Sequence, residues 1–467
     1  MENTGSSDTQ STKKGLWGLI DRIEGDKVIW IIVLLLILIS VLAIFSSTPL
    51  LSDNSRIEIM KDHGGVAIFG LALIFLMYKY VWKIGIYRFF SQFGFFFTFM
   101  LLLILDFHMN FGFLRAQYIN GAWRTLSLFG FQIHVFEVAK VAMVMYLSWA
   151  LHACRQDRDA IEAGQESPTF RLANSLAKNK NLEFLGKPFW KRALYIYIPS
   201  LLICGMIAPG SNSSAIFLAM VLLGTMIIGG VPFKELMYAG MGLVVMAGIM
   251  FGIYKLSDGE QMGRLKTFES RIGADYDTKR LEGLTPGTQD FYKALDKIRQ
   301  PYGAKVAIHE GGLLGKGSGN STQKYSVTHI YSDYMFSFLV EEYGLLGGIF
   351  IIILYLSLIA RCSMISRLCG NDFAKIAICG LALLITGQAF MHMLVNSGII
   401  PMTGQTLPLI SDGASAFLVS CLAFGIILSI SRMAKKKIQT VEESVQTVRD
   451  DIQERITILE QIDEEEI

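Results

Sequence analysis

The chain has 467 residues, 52% hydrophobic and 18% charged, with a mean hydropathy of +0.44, which excludes an ordinary soluble domain and describes a polytopic membrane protein. The formal net charge of +2 is near balance with no basic stripe, so nothing points to nucleic acid. Six cysteines lie mostly in or beside apolar runs, which argues against a disulfide framework.

Residues 1–26 read as a polar cytoplasmic leader, Ser/Thr/Gly-rich at first and mildly amphipathic from Leu16 to Ile23. The apolar run that follows is long enough to span, so no cleavable signal is visible. Ten runs are long enough, or nearly so, to cross about 30 Å of hydrocarbon as helices. They are Val28 to Ser46, Val66 to Trp82, Phe89 to Leu105, Val135 to Leu151, Ala193 to Ile207, Ala215 to Gly229, Leu236 to Tyr254, Met335 to Ile359, Ile376 to Val395 and Ala416 to Ile430. The expected fold is therefore an all-α polytopic membrane protein. Seven helices lie within 27–254 and three within 335–432.

Orientation follows from basic residues in the short loops. The loop after the fourth run carries Arg155, Arg158, Arg171, Lys178, Lys180, Lys187, Lys191 and Arg192, and Arg432, Lys435, Lys436 and Lys437 follow the tenth; Asn396 to Ser415 has neither Lys nor Arg. Both termini are expected in the cytoplasm. The loop 255–334, between helices seven and eight, then lies outside. Residues 433–467 are an acidic tail whose Val441, Val445, Val448, Ile452, Leu459 and Ile462 keep a heptad-like stripe. A solvated amphipathic helix and a coiled-coil partner site both fit that stripe.

Chemistry concentrates in four places. Ala304 to Gly348 is glycine-rich and polar, with Gly311, Gly312, Gly315, Gly317 and Gly319 free to take positive φ beside Lys316, His309, Asp333, Glu341 and Glu342. It reads either as a binding loop or as a flexible surface loop. Glu137 and Lys140 stand three apart inside the fourth run, so they share one helix face. Ionisable groups at membrane depth line a cavity or meet a partner, and a purely structural ion pair is the plainer alternative. Arg124, close to the outer interface, can hold a phosphate or snorkel to headgroups. In NSGIIPMTGQTLPLISDGASAF, Pro401, Gly404, Pro408, Ser411, Asp412 and Gly413 break the backbone just before an apolar run, as in a re-entrant segment. Asp290 and Asp296 in the long loop are candidate general bases, or ordinary solvated charges.

With these residues in view, the chain resembles the SEDS family (shape, elongation, division and sporulation), the polytopic peptidoglycan glycosyltransferases represented by RodA and FtsW. NGAWRT with FEVAK resembles the family's NGARRW and QPSEFAK. GGLLGKGSGNSTQK and YSDYMFSFLVEEYGLLGG resemble GGLxGKGxGxSxQ and TDFIFAxxxEExGxxG, and NSGIIPMTGQTLPLISDGAS with ILSISR resembles the family's last outer block. GNSTQK and GDKVIWII look closer to FtsW of the Bacteroidetes type than to RodA. There are departures. His134, Val135 and Phe136 replace Gln-Pro-Ser, Trp123 replaces the first of two arginines, Asp412 replaces an aromatic or similar residue, and the DPxGxGYQ segment is not recognisable.

The resemblance implies polymerisation of lipid II, in which the GlcNAc 4-hydroxyl of the acceptor attacks C1 of the donor's MurNAc and undecaprenyl pyrophosphate leaves with inversion. Counting back from AKVAI puts Asp296 nearest the family's essential aspartate, with Asp290 second. Arg124, Lys140 and Lys316 become candidates for the pyrophosphate, with a divalent cation (Mg or Mn) as a further one. Glu137, Gln323, Asp333 and Ser411 join the substrate-binding set through the matched blocks. A class B penicillin-binding protein and other divisome proteins are the implied partners. A lipid II flippase and a non-catalytic divisome scaffold remain alternative readings.

Overall fold

The computed structural model describes residues 24–48, 56–81, 83–112, 114–119, 122–165, 169–256 and 283–436. The helices are α1 (Lys27–Ser47), α2 (Arg56–Tyr80), α3 (Ile84–Ser91), α4 (Gly94–Asp106), α5 (Val135–Glu162), α6 (Arg171–Ala177), α7 (Pro188–Gly210, with one π turn), α8 (Asn212–Ile228), α9 (Phe233–Leu256), α10 (Gln289–Gly311), α11 (Met335–Leu368), α12 (Asp372–Asn396) and α13 (Ala414–Lys436). One antiparallel sheet, β1 (Leu114–Ile119), β2 (Ala122–Leu128) and β3 (Phe131–His134), interrupts an otherwise helical chain. The leader up to residue 23, the segment 257–282 and the heptad-like stripe of the tail lie outside the described residues.

Helix α1 shows why these runs fold as they do. It buries Ile29, Val33 and Leu36 against the bundle and leaves Ile31, Leu34 and Leu38 exposed, so it is apolar all round. That pattern suits a helix with protein on one side and lipid on the other, where every backbone group must be bonded within the segment. Among the described residues, seven helices are long and apolar enough to span, or eight when α3 and α4, bent by 44°, are taken together. The third predicted run is this bent pair. The sixth is the 17-residue α8, and the seventh falls on α9.

Ion pairs tie the bundle together at the end where α1 begins. Buried Asp26 caps α1, accepting from the Val28 and Ile29 amides at 2.9 and 3.2 Å, and also receives the Arg361 guanidinium from α11. Its own amide donates to Ser431 of α13 at 2.9 Å. Arg432 meets Glu24 at 2.6 Å and donates to the Tyr78 carbonyl that closes α2. Four helices are thus fastened here, with Ser431 and Arg432 at the end of the ILSISR block supplying two of the contacts.

At the opposite end, α11 breaks. Gly344 has φ +70 and ψ −175, outside the helical range, in the middle of a 34-residue helix. A break of this kind frees carbonyls before it and amides after it. The glycine-rich loop takes both: the Lys316 and Gly317 amides donate to the Glu341 and Glu342 carbonyls at 2.9 Å, and the Leu345 and Leu346 amides donate to the Gly312 and Leu313 carbonyls at 2.9 and 3.3 Å. The two backbones lie so close that a Cβ at Gly315 would sit 2.2 Å from the Glu342 carbonyl oxygen, and one at Gly344 would sit 2.2 Å from that of Leu313.

Gly344→Ala is therefore expected to lose more than about 2 kcal/mol, from left-handed strain plus a backbone clash. Gly64→Ala, in a helix with open space at its Cβ, should be neutral or slightly stabilising. Thermal unfolding of the two purified variants in detergent checks this, and equal melting temperatures would refute the interlock.

Candidate active site at the far end of the bundle

The loop that seals the α11 break also supplies hydrogen bonds to two buried carboxylates. Glu341 is fully buried. One of its oxygens accepts from Lys316 Nζ at 2.8 Å, the Thr322 amide at 2.9 Å and Thr322 Oγ1 at 3.0 Å; the other accepts from Ser321 Oγ at 2.5 Å. Glu342 accepts from Ser46 Oγ of α1 at 2.6 Å and from the Gly319 amide at 2.9 Å. Lys316 Nζ also bonds Glu310 and Thr322 Oγ1, so all three of its donors are taken. Bonding to Lys316 holds the Glu310 carboxyl below its usual 4.5. Burial works against the charge on Lys316, yet Glu310 and Glu341 keep its pKa above the usual 10.5.

Behind this loop the chain from 397 to 413 enters the bundle without regular structure, as the broken backbone predicts. Its carbonyls are bonded one by one by side chains from different helices. His392 Nδ1 meets the Gln405 oxygen at 2.7 Å, Gln388 donates to that of Thr406 at 3.1 Å, Tyr355 to Pro408 at 2.5 Å and Ser40 to Ile410 at 2.9 Å. Such bonding is what lets non-helical backbone persist at membrane depth. Ser411 staples the segment, accepting from the Leu407 amide at 2.9 Å and donating to the Ser332 carbonyl at 2.8 Å.

Lys140 lies beneath this segment, 1% exposed. Its ammonium donates to Glu137 Oε1 at 2.7 Å, Gln388 Oε1 at 2.8 Å and Gln405 Oε1 at 2.9 Å, and the Phe217 ring lies 5.5 Å away. Three donors meet three acceptors, the arrangement a buried ammonium requires. Glu137 and Lys140 line a narrow cleft together with Gln388, Pro408 and Ser420.

Arg124 owes its direction to a local irregularity. Gln117 pairs with Thr125 and Tyr118 with Trp123, so Arg124 is the extra residue of a β-bulge. A bulge re-aims its side chain. Here Arg124 Nε donates to the Gly210 carbonyl at the end of α7, 3.3 Å away. Two departures from the SEDS pattern converge on the same glycine: a Cβ at Gly210 would lie 2.5 Å from the Phe136 ring and 3.1 Å from the Trp123 carbonyl.

The remaining predicted residues are placed as follows. Asp290 is exposed in the first turn of α10, and Asp296 stands further along that helix, its side chain outside the described part of the structure. Gln323 opens a short 3₁₀ turn against the Glu341 carboxylate, its amide 3.3 Å from Oε1. Asp333 and Asp412 both lie near Tyr331; burial raises that phenol's pKa, and the two carboxylates raise it further. Asp412 also lies 3.6 Å from His63 of α2, a buried residue that sequence reading passed over because a lone histidine on an apolar helix carries no local signal. No three His, Cys, Asp or Glu side chains converge among the described residues, so an all-protein metal cage is absent there.

Lys140→Met should cost about 3 kcal/mol or more, because it strips Glu137 of its ammonium partner, and adding Glu137→Gln should recover part of that loss. Thermal unfolding of both variants tests it; no recovery in the double variant would show that the pair is not electrostatically coupled. The Glu310–Lys316 bond carries a pH signature. Glu310, with a lowered pKa, stabilises the loop above 4.5 and loses that contribution as pH falls through its folded value; Lys316, with a raised pKa, stabilises it below 10.5 and loses that contribution as pH rises through its own. Amide protection at Lys316 and Gly317, corrected for intrinsic exchange, should be flat near neutral pH and fall toward both extremes.

Comparison with known proteins agrees with this architecture. A family model described as "Cell cycle protein", covering FtsW, RodA and SpoVE, matches residues 26–436. A probable peptidoglycan glycosyltransferase FtsW of Hahella chejuensis is 38% identical over 169 residues, 35% of this chain and 43% of that one. Proteins of the same name in Geobacter sp. strain M18 and Lactococcus lactis are 26% and 27% identical, over 67% and 73% of this chain and 72% and 77% of theirs. Among solved structures, a chain from work on a peptidoglycan synthase complex that coordinates polymerization and crosslinking superposes with a TM-score of 0.56 at 18% identity, covering 88% of this chain and 98% of that one. The Thermus thermophilus rod shape determining protein RodA gives 0.53 at 16% identity, covering 88% and 98%. At these identities the likeness is one of fold.

Proposed function

On the premise that the chain belongs to the FtsW/RodA/SpoVE family of cell cycle proteins, we propose that it is a septal peptidoglycan glycosyltransferase that polymerises lipid II at the outer face of the inner membrane. The proposed orientation puts both termini in the cytoplasm. The end bearing the glycine-rich loop, the sheet and the re-entrant segment then faces outward, with a class B penicillin-binding protein and other divisome proteins as partners. The observation that carries this reading is the convergence of three segments distant in sequence on one end of the bundle. They are the loop bonded to the broken α11, the re-entrant 397–413 segment, and the Glu137–Lys140 pair under it.

In the proposed reaction the acceptor's 4-hydroxyl oxygen forms a bond to C1 of the donor, its proton passes to Asp296, and the C1–O bond breaks with its electron pair moving onto the departing pyrophosphate. Configuration at C1 inverts. Positive charge aimed at the leaving group supplies the main stabilisation. Arg124 is cast in that role, because its bulge brings it to the end of α7 beside the cleft-forming helices. Lys140 and Lys316 spend their donors on protein acceptors, which supports assigning them to positioning. A bound magnesium or manganese would neutralise further charge on the pyrophosphate, with Asp333 and Asp412 as the carboxylates to hold it.

Asp296→Ala is expected to abolish polymerisation of lipid II by the purified protein with its transpeptidase, at unchanged melting temperature, while Asp290→Ala retains most of the rate. Wild-type polymerisation by Asp296→Ala together with loss in Asp290→Ala would move the base to Asp290. Lipid II crossing vesicles without any polymer forming would favour the flippase instead.

A further inference from the structure

At the other end of the bundle, between α5, α7 and the α8–α9 turn, lies a cleft open to solvent that the proposed reaction does not use. All of its charged lining residues are arginines: Arg155, Arg158 and Arg192. Two of them are fixed in place. Arg155 is held by Asp372 at 3.1 Å and donates to the Gly229 carbonyl at 2.9 Å, while Arg192 is gripped by both oxygens of Glu235 at 2.7 and 2.5 Å. Each keeps further guanidinium N–H donors beyond these bonds. Arg158, 68% exposed, has only loose pairs at 3.8 Å with Asp159 and Glu162. The rest of the wall is apolar or bare backbone: Leu151, Cys154, Gly229, Gly230, Val231 and Pro232.

We propose that this cleft binds the phosphodiester headgroup of an anionic phospholipid. A preorganised arginine cradle matches phosphate oxygens, with less ordering left to do on binding. Its carbons match the glycerol and ester portion of a lipid better than they match a free ion. The chain just before Arg192 carries Phe184, Phe189 and Trp190, all exposed, with Lys180 and Lys187 interspersed, a collar suited to an interfacial plane. The proposal rests on the orientation given above only for the leaflet concerned, which would be the cytoplasmic one.

The test is native mass spectrometry of the purified full chain in detergent, titrated with phosphatidylglycerol or phosphatidylcholine. Phosphatidylglycerol should be retained preferentially. Arg158→Gln should weaken it about tenfold, the effect of losing one charge-assisted hydrogen bond. Lys178→Gln, an equal charge loss at the end of α6, should leave it unchanged, and both variants should melt like wild type. Equal weakening by the two variants would show diffuse surface attraction, and no weakening by Arg158→Gln would show no site; either overturns the proposal. Full displacement of the lipid by excess inorganic phosphate would overturn the lipid assignment in favour of a soluble anion. None of these readouts involves polymerisation, so failure here leaves the proposed activity standing, and the reverse holds too.

Discussion

The break in α11 at Gly344 is the constraint on which the far end of the molecule depends. An uninterrupted helix would have satisfied its own backbone and offered nothing to the glycine-rich loop. Because Gly344 leaves the helical range, carbonyls and amides around it must find partners elsewhere, and the loop from Gly311 to Gly317 supplies them. The contact is backbone against backbone, which only glycine permits at Gly315 and Gly344. Once the loop is docked, Lys316, Ser321 and Thr322 surround Glu341, while Gly319 and Ser46 close on Glu342. Charges that look solvated in the sequence are in fact part of the interior.

The same logic governs the 397–413 segment. Irregular backbone inside a bundle costs several kcal/mol for each unsatisfied polar group, so each carbonyl must be met. His392, Gln388, Tyr355 and Ser40 meet them from α12, α11 and α1. Gln388 and Gln405 also face Lys140, so the re-entrant backbone and the intramembrane charge share one network. A network built this way holds its dipoles fixed in one arrangement.

The two ends of the bundle use charge differently. Where α1 begins, Asp26, Arg361, Glu24 and Arg432 fasten helices to one another. At the far end, the lysines are saturated by protein acceptors, and Arg124 is directed by a bulge. All three cations meet protein acceptors: Lys140 and Lys316 inside side-chain networks, and Arg124 at the Gly210 carbonyl that ends α7.

Local sequence was enough to determine the polytopic architecture, because a run of apolar side chains long enough to span has few ways to fold other than as a helix in lipid. It also determined the irregular segment, from Pro401, Gly404 and Pro408, and the Glu137–Lys140 pair, since residues three apart on a helix must be neighbours. Tertiary structure alone decided the partners across the bundle. Gln388 and Gln405 are 248 and 265 positions from Lys140, and Ser46 is 296 from Glu342. The bulge at Arg124 depends on the register of two strands, and the bend between α3 and α4 on how they pack; neither leaves a periodic trace in one strand or one helix. Pattern reports what a residue does to its neighbours within a turn or a pleat. Which distant group satisfies a buried charge is settled only when the helices have packed.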